Sequence, residues 1–353
     1  MTAAHVFDQM TTGIGSVPFA DASASARFVL DVGLDIPFWP QLPKRSFREL
    51  MNPQFAEGLP CFRTDADAKR AWFEIGDDKA EHMTAFYEKV LAGDDAILAL
   101  SEKVAAGYHT FLAELASRET HFDWLKGQVT GPISFTLSMQ DQDRRPIFYD
   151  PDLKEASVQA LAVKGRQQLD ALRPFAKDVM IFIDEPVLAA FGTSAYLSLT
   201  ADEVIRLIDG VAAPLREAGA TVGVHCCGNT DWAMMTQTSV DILSFDAYEY
   251  GDSVGLYPNE VKRFLERGGA LAWGIVPTSD AVRVETAETL SSRLDEQMRD
   301  LASRGVDPDR LRAQALITPS CGTGPMEVED ARKAFETLVA LGSIRRKGGR
   351  SSR

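Results

Sequence analysis

Eight short apolar runs, each closed by Gly, Pro or a polar residue, recur along the chain at 11–15, 34–39, 125–130, 179–183, 221–225, 242–245, 271–276 and 315–318. Runs of this length, rich in Val and Ile, read as strands. Between most of them lie helical patterns with recognisable start signals. Asp21 precedes 22–32, Asp150-Pro151 opens a helix to about Arg173, and Thr200 precedes 201–218 with Glu203 at the third helical position. Further helices fit 257–268, 286–304 and 328–341. Strands that alternate with helices imply a parallel sheet, because parallel neighbours need a crossover. Eight such units close a (β/α)8, or TIM, barrel. The third run comes late. Residues 40–123 hold Pro40, Pro43, Pro53 and Pro60 and then helical stretches at about 66–93 and 97–118, which reads as a helical insertion after the second strand. Residues 1–344 are therefore expected to form one barrel domain, with the basic, Gly/Ser-rich 345–353 as a flexible tail.

Charge and cysteine usage narrow the function. A formal net charge of −14 over 353 residues opposes a phosphate-backbone partner, which is held by Lys and Arg. No apolar run approaches the roughly twenty residues that span a bilayer, and the N-terminus lacks a basic region followed by an apolar stretch. A cytoplasmic protein is expected, with no nucleic-acid or membrane partner. Four Cys in a chain this long do not make the disulfide framework of a small secreted domain. Reduced thiols are expected, and reduced thiols bind metals.

Barrel enzymes build their sites on the loops that follow the strands. Beyond successive runs stand Gly15-Ser16, Gly131-Pro132, Asp184-Glu185-Pro186, His225-Cys226-Cys227, Asp246 with Glu249, and Cys321-Gly322. Asp184 and Glu185 are two carboxylates at one rim and are the catalytic candidates. His225, Cys227 and Cys321 are the N and S donors that zinc prefers, with one position left open in a catalytic site. His225 and Cys227 are two apart and face the same way in extended backbone, with Cys226 opposite, unless a turn at the strand end reverses that order. Trp39, Tyr248, Tyr250 and Trp273 are rim or core aromatics; His82, His109 and His121 show no partner pattern.

The motifs Thr11-Thr12-Gly13-Ile14-Gly15-Ser16, Thr130-Gly131-Pro132, Ile183-Asp184-Glu185-Pro186-Val187-Leu188, His225-x-Cys227 and Pro319-Ser320-Cys321-Gly322 stand in a telling order. In that order, and over most of its length, the chain resembles the catalytic domain of cobalamin-independent methionine synthase in its short, core-only form. His225-Cys226-Cys227-Gly228-Asn229 is also similar to segments of the uroporphyrinogen decarboxylase superfamily, which includes zinc-dependent corrinoid methyltransferases. The resemblance implies zinc-dependent transfer of a methyl group to a small-molecule thiol, homocysteine. Carried over, Ile14, Gly15 and Ser16 would hold the amino-acid carboxylate and Asp184 its ammonium group, with Glu49 as a second carboxylate there. The family's fourth zinc ligand is a Glu after the sixth strand. Alignment on that strand gives Asp246, whereas counting from His225 gives Glu249; Asp246 is preferred because strand register is harder to shift than loop length. The extra N-terminal barrel of the long form is not expected at this length, so the donor is methylfolate or a methyl-corrinoid protein. The rival readings are a zinc-free decarboxylase of the uroporphyrinogen type, a corrinoid-dependent methyltransferase acting on another thiol, and a non-catalytic zinc-binding module.

Overall fold

The computed structural model describes residues 5–193, 196 and 199–350, with the side chains of 347–350 excepted. Its strands, in chain order, are β1 (Met10–Thr11), β2 (Phe62–Asp65), β3 (Arg70–Phe73), β4 (Phe122–Thr130), β5 (Ala176–Asp184), β6 (Thr221–Cys226), β7 (Ile242–Phe245), β8 (Ala270–Val276) and β9 (Ala315–Pro319). Seven form one curled, all-parallel sheet in the order β1-β9-β8-β7-β6-β5-β4. The six apolar runs from 125 onward are thus all strands of this sheet.

The second run is not a continuous strand. Pro37 and Pro40 have no N–H with which to sustain a ladder. The segment makes isolated parallel bridges instead: Thr12↔Ile36 and Ser16↔Gln41 beside β1, and Phe38↔Lys126 on β4. Ile36 N donates to Thr11 O at 3.0 Å and Trp39 N to Lys126 O at 3.3 Å, so residues 36–41 lie between the two edge strands of the sheet.

Helices link the strands. α1 (Ala22–Asp31) follows β1, and Asp21 caps it by accepting from Ala24 N. The excursion then carries α2 (Met51–Ala56), the β2–β3 hairpin, α3 (Lys79–Leu91) and α4 (Ala106–Ala116). α5 (Pro132–Ser138) and α6 (Pro151–Leu172) join β4 to β5, and α7 (Ala201–Glu217) joins β5 to β6. α8 (Trp232–Met235) follows β6, α9 (Ala247–Val254) and α10 (Pro258–Glu266) follow β7, α11 (Ala287–Ser303) and α12 (Pro308–Ala313) follow β8, and α13 (Val328–Arg350) closes the described chain. Asp150 and Thr200 cap α6 and α7 through backbone N–H groups, as their sequence signals predict.

Two features differ from the sequence reading. The helix expected from about residue 66 is an antiparallel hairpin as far as Phe73, pairing Phe62↔Phe73 through Asp65↔Arg70. Alternation decides it: Arg63 and Asp65 are exposed while Phe62 and Thr64 turn inward, a period of two. Asp65 accepts from Ala68 N in the turn, and Lys69 takes a φ of 49°. The basic segment expected as a tail from Arg345 begins inside α13, where Arg345 is buried and bonds to Gln9 and Asp295. Residues 351–353 lie outside the described residues.

Apolar packing occurs on both faces of the sheet. A large core fills the space between sheet and helices, and a smaller one of Phe7, Ile36, Met180, Phe182, Ile242, Ala270, Ala272 and Leu316 fills its inner face. The excursion is tied down by buried polar groups. Lys164 Nζ on α6 donates to Glu57 O and Leu98 O at 2.7 Å each, and Trp39 Nε1 donates to Gln168 Oε1 at 2.7 Å. Such bonds contribute about 1 kcal/mol apiece and cost more when one partner is removed. Among the described residues no helix is long and apolar enough to cross a membrane.

Candidate metal centre

Strand register builds one row of polar side chains at the C-terminal ends of the strands. Thr130 pairs with Asp184, Asp184 with His225, and His225 with Ser244 across β4, β5, β6 and β7. Residues in register share a face, so this row stands above the inner apolar layer that contains Phe182 and Ile242.

His225 is buried. Its Nδ1 lies 3.0 Å from Ser244 Oγ, while Nε2 is buried with no hydrogen-bond partner. A serine fixing one ring nitrogen and a bare second nitrogen is how a metal-ligating imidazole is oriented. Cys227 stands just beyond β6. Cys321 comes from the far side of the sheet, past a register shift between Gly274 and Val276 on β8 against β9. Bulges at such positions re-aim the residues that follow. A Cβ on Gly274 would meet Phe245 O at 2.4 Å and Ser320 Cα at 3.0 Å, so glycine there lets the Ser320-Cys321 turn close down. Thr278 N and Oγ1 hold Ser320 Oγ at 3.2 and 3.0 Å.

The result is that His225, Cys227 and Cys321 bring one donor atom each to within 4.8 Å of one another, a set that could hold a metal ion. Ligands around a single zinc stand about 3.5–3.8 Å apart for Zn–S of ~2.3 Å and Zn–N of ~2.0 Å. The donor chemistry and the unpartnered Nε2 therefore fit zinc. The Cys321 thiol, then the His225 ring, pulls the Cys227 thiol down against burial, and closeness to Cys227 together with burial pushes the Cys321 thiol up. Cys226 is a bystander: it is buried, its sulfur lies 3.7 Å from Gly228 O, and burial pushes its thiol up to about 12.

The first and last motifs meet. Ser16 O accepts from Thr323 N at 2.9 Å and Ser16 Oγ accepts from Gly324 N at 3.2 Å. A Cβ on Gly322 would sit 2.2 Å from Ser16 Oγ. Ser16 therefore stands beside the loop that carries Cys321, with Ile14 and Gly15 leading into it. Asp184 is half-buried; burial raises its pKa against Lys126 and His225, and its Oδ1 has no partner.

The remaining candidates have other engagements. Glu185 is fully buried and accepts from Ile133 N and Ser134 N at 2.8 Å each, capping α5, while burial pushes it up to about 7. Gly131 makes room, since a Cβ there would lie 2.1 Å from Glu185 Cδ. Glu49 is buried in an ion pair with Arg45. Asp246 stands outside the three-residue donor group and caps α9, accepting from Glu249 N at 2.8 Å; burial pushes it up to about 6. Glu249 is exposed. Trp39 and Trp273 are fully buried, packed on Tyr108 and Phe245. Two residues escaped the sequence reading: Ser244, a small polar residue inside Ile242–Phe245, and Lys126, a charge in the middle of Phe122–Thr130. Both fall on inward positions of an alternating pattern, which is the signal that could have found them.

No family model matches the chain, and no curated protein matches it. Among solved structures, a B12-independent methionine synthase from Shewanella sp. W3-18-1 in complex with selenomethionine aligns at 17% identity and a TM-score of 0.46, covering 68% of each chain. A catalytic module of the pneumococcal exo-β-D-N-acetylglucosaminidase aligns at 10% identity and 0.44, over 95% of this chain and 85% of the other. An exo-β-1,4-mannosidase from Opitutaceae bacterium strain TAV5 aligns at 13% identity and 0.45, over 99% and 63%. At these scores the comparisons assign no family or activity.

Proposed function

We propose that this chain is a zinc-dependent methyltransferase that methylates a thiol, homocysteine to give methionine, on a (β/α)8 barrel whose second strand is the proline-interrupted segment 36–41. The observation that carries the reading is the convergence of His225, Cys227 and Cys321 from two distant strand ends, with His225 Nε2 buried and unpartnered. Three protein donors favour a catalytic over a structural zinc, because structural sites are closed by four. When bound, the zinc supplies a Lewis acid that keeps a substrate thiol deprotonated near neutral pH.

The chain's own residues orient that substrate. Ser244 holds the His225 ring, and Asp184, with its free Oδ1, offers an acceptor for an ammonium group. The Ile14–Ser16 turn, pinned by the Thr323–Gly324 loop, offers backbone N–H groups for a carboxylate. The S–CH3 bond forms as the donor's N–CH3 bond (methylfolate) or Co–CH3 bond (a methyl-corrinoid protein) breaks; the thiol proton goes to solvent, and the electron pair of the broken bond stays on the folate nitrogen, which takes up a proton, or on the corrinoid cobalt. Asp246, expected as a fourth ligand, and Glu185, expected as catalytic, are both engaged in capping bonds, and the reading does not depend on them. Four free cysteines suit a reducing cytoplasm.

Metal analysis of the purified protein, followed by an assay for methionine from homocysteine with methylcobalamin or methyltetrahydrofolate, tests the reading. Near-stoichiometric zinc and product from one donor are expected. Absence of zinc after reconstitution would sink it, and zinc without product from either donor would point to another thiol acceptor.

A further inference from the structure

We propose that Lys126 is the positioning residue for the amino-acid end of the site, aiming the Ile14–Gly15 peptide at the carboxylate of an amino-acid thiol. The inference rests on the amino-acid-thiol reading above. Lys126 lies on β4, fully buried, in register with Met180, four residues before Asp184 on β5. Its Nζ donates to Ile14 O and reaches Gln128 Oε1 at 3.4 Å, and it sits 4.5 Å from the ring centroid of Phe182 and 5.8 Å from that of Phe38. The charged group that faces it is Asp184. Burial pulls the ammonium down to about 8, and Asp184 opposes that shift.

A buried ammonium without a bonded carboxylate is costly. The surrounding layer of Met180, Phe182, Ile242 and Leu316 would be filled as well by Leu or Met. One use for the buried lysine follows from the geometry. The peptide bond is planar and trans, so the Ile14 carbonyl and the Gly15 N–H point in opposite directions. Lys126 draws the carbonyl to the inner layer and so turns the N–H away from it, toward the strand ends where the site lies. Gly15 cannot swing freely, since a Cβ there would already meet Gln128 Cδ at 2.9 Å.

The test is calorimetric titration of the zinc-loaded protein, under reducing conditions at neutral pH, with four thiols. These are homocysteine, 4-mercaptobutanoate (no ammonium), 3-aminopropane-1-thiol (no carboxylate) and 1-propanethiol (neither). In Lys126→Met the affinity for homocysteine should fall about ten- to hundredfold, the worth of a hydrogen bond to a charged group. Propanethiol affinity and zinc content should be unchanged. Lys126→Gln keeps a donor for the Ile14 carbonyl, so it should retain homocysteine and 4-mercaptobutanoate, and 3-aminopropane-1-thiol should bind both variants as it binds wild type. Homocysteine binding by Lys126→Met as tight as wild type overturns the inference, as does equal loss of all four thiols or loss of zinc. If neither variant folds, the lysine is a requirement of the fold and the inference is withdrawn. A wild-type protein that binds none of the thiols would instead fail the amino-acid-thiol reading itself.

Discussion

Three side chains, His225, Cys227 and Cys321, carry the candidate site, and substitutions at the thiols and at the neighbours of the triad test it. Cys227→Ser and Cys321→Ser each remove a soft donor from the triad, and both should drop bound zinc from near-stoichiometric to a small fraction. Cys226→Ala should keep it, because that thiol points to Gly228 O. Inductively coupled plasma analysis of the three proteins decides the matter, and equal zinc in all of them would remove the site. Ser244→Ala acts at one remove. It leaves the three donors in place but frees His225 Nδ1, so zinc should still bind, with affinity about ten- to hundredfold lower in a competition titration with a chelator. The triad was legible in the sequence because Cys is rare here and His225-x-Cys227 sits at the end of an apolar run. Ser244 and Lys126 were not, since a lone serine or lysine in a strand gives no chemical signature until its face is known.

At the scale of elements, two carboxylates that the sequence marks as site residues, Glu185 as catalytic and Asp246 as a zinc ligand, serve as helix caps. Glu185 joins β5 to the N-terminus of α5, and Asp246 joins β7 to that of α9. Position at a strand end is what makes a carboxylate read as functional, and it is equally the position from which a carboxylate meets the next helix's free N–H groups. Glu185→Gln keeps one acceptor and loses the other, so it should destabilise the fold by about 1–3 kcal/mol in chemical denaturation while zinc and turnover persist. Turnover abolished in a folded, zinc-replete Glu185→Gln protein would restore the residue to the chemistry. Asp246→Ala should cost about 1 kcal/mol as a lost cap and retain zinc. Loss of zinc from that variant would make Asp246 the fourth ligand. The second run shows the complementary lesson: its apolar content marked it as a strand, but prolines reduced its pairing to isolated bridges, and the Phe62–Phe73 hairpin was hidden by the helix-forming alanines of its own turn.

Over the whole molecule, the parallel architecture followed from strand–helix alternation, whereas the docking of the long excursion did not. It depends on buried polar pairs between distant segments, chiefly Lys164 on α6 with the carbonyls of Glu57 and Leu98. That arrangement gives the fold a pH dependence of definite sign. Burial pulls Lys164 down to about 7 from an ordinary 10.5, so between those values the unfolded chain binds the proton that the folded chain releases. The penalty of burying the charge is full below about 7 and is relieved as pH rises through the window, so stability from this group increases with pH. Lys164→Met lacks the titration but loses the same two carbonyl contacts at every pH. The stability of wild type relative to Lys164→Met should therefore improve between pH 7 and 9, by at most about 1.4 kcal/mol per unit. Paired denaturation curves across that range measure the slope directly. A difference that stays constant would mean that the amine remains charged in the fold throughout, as it does in the unfolded chain, and the excursion would then be held without a titrating anchor.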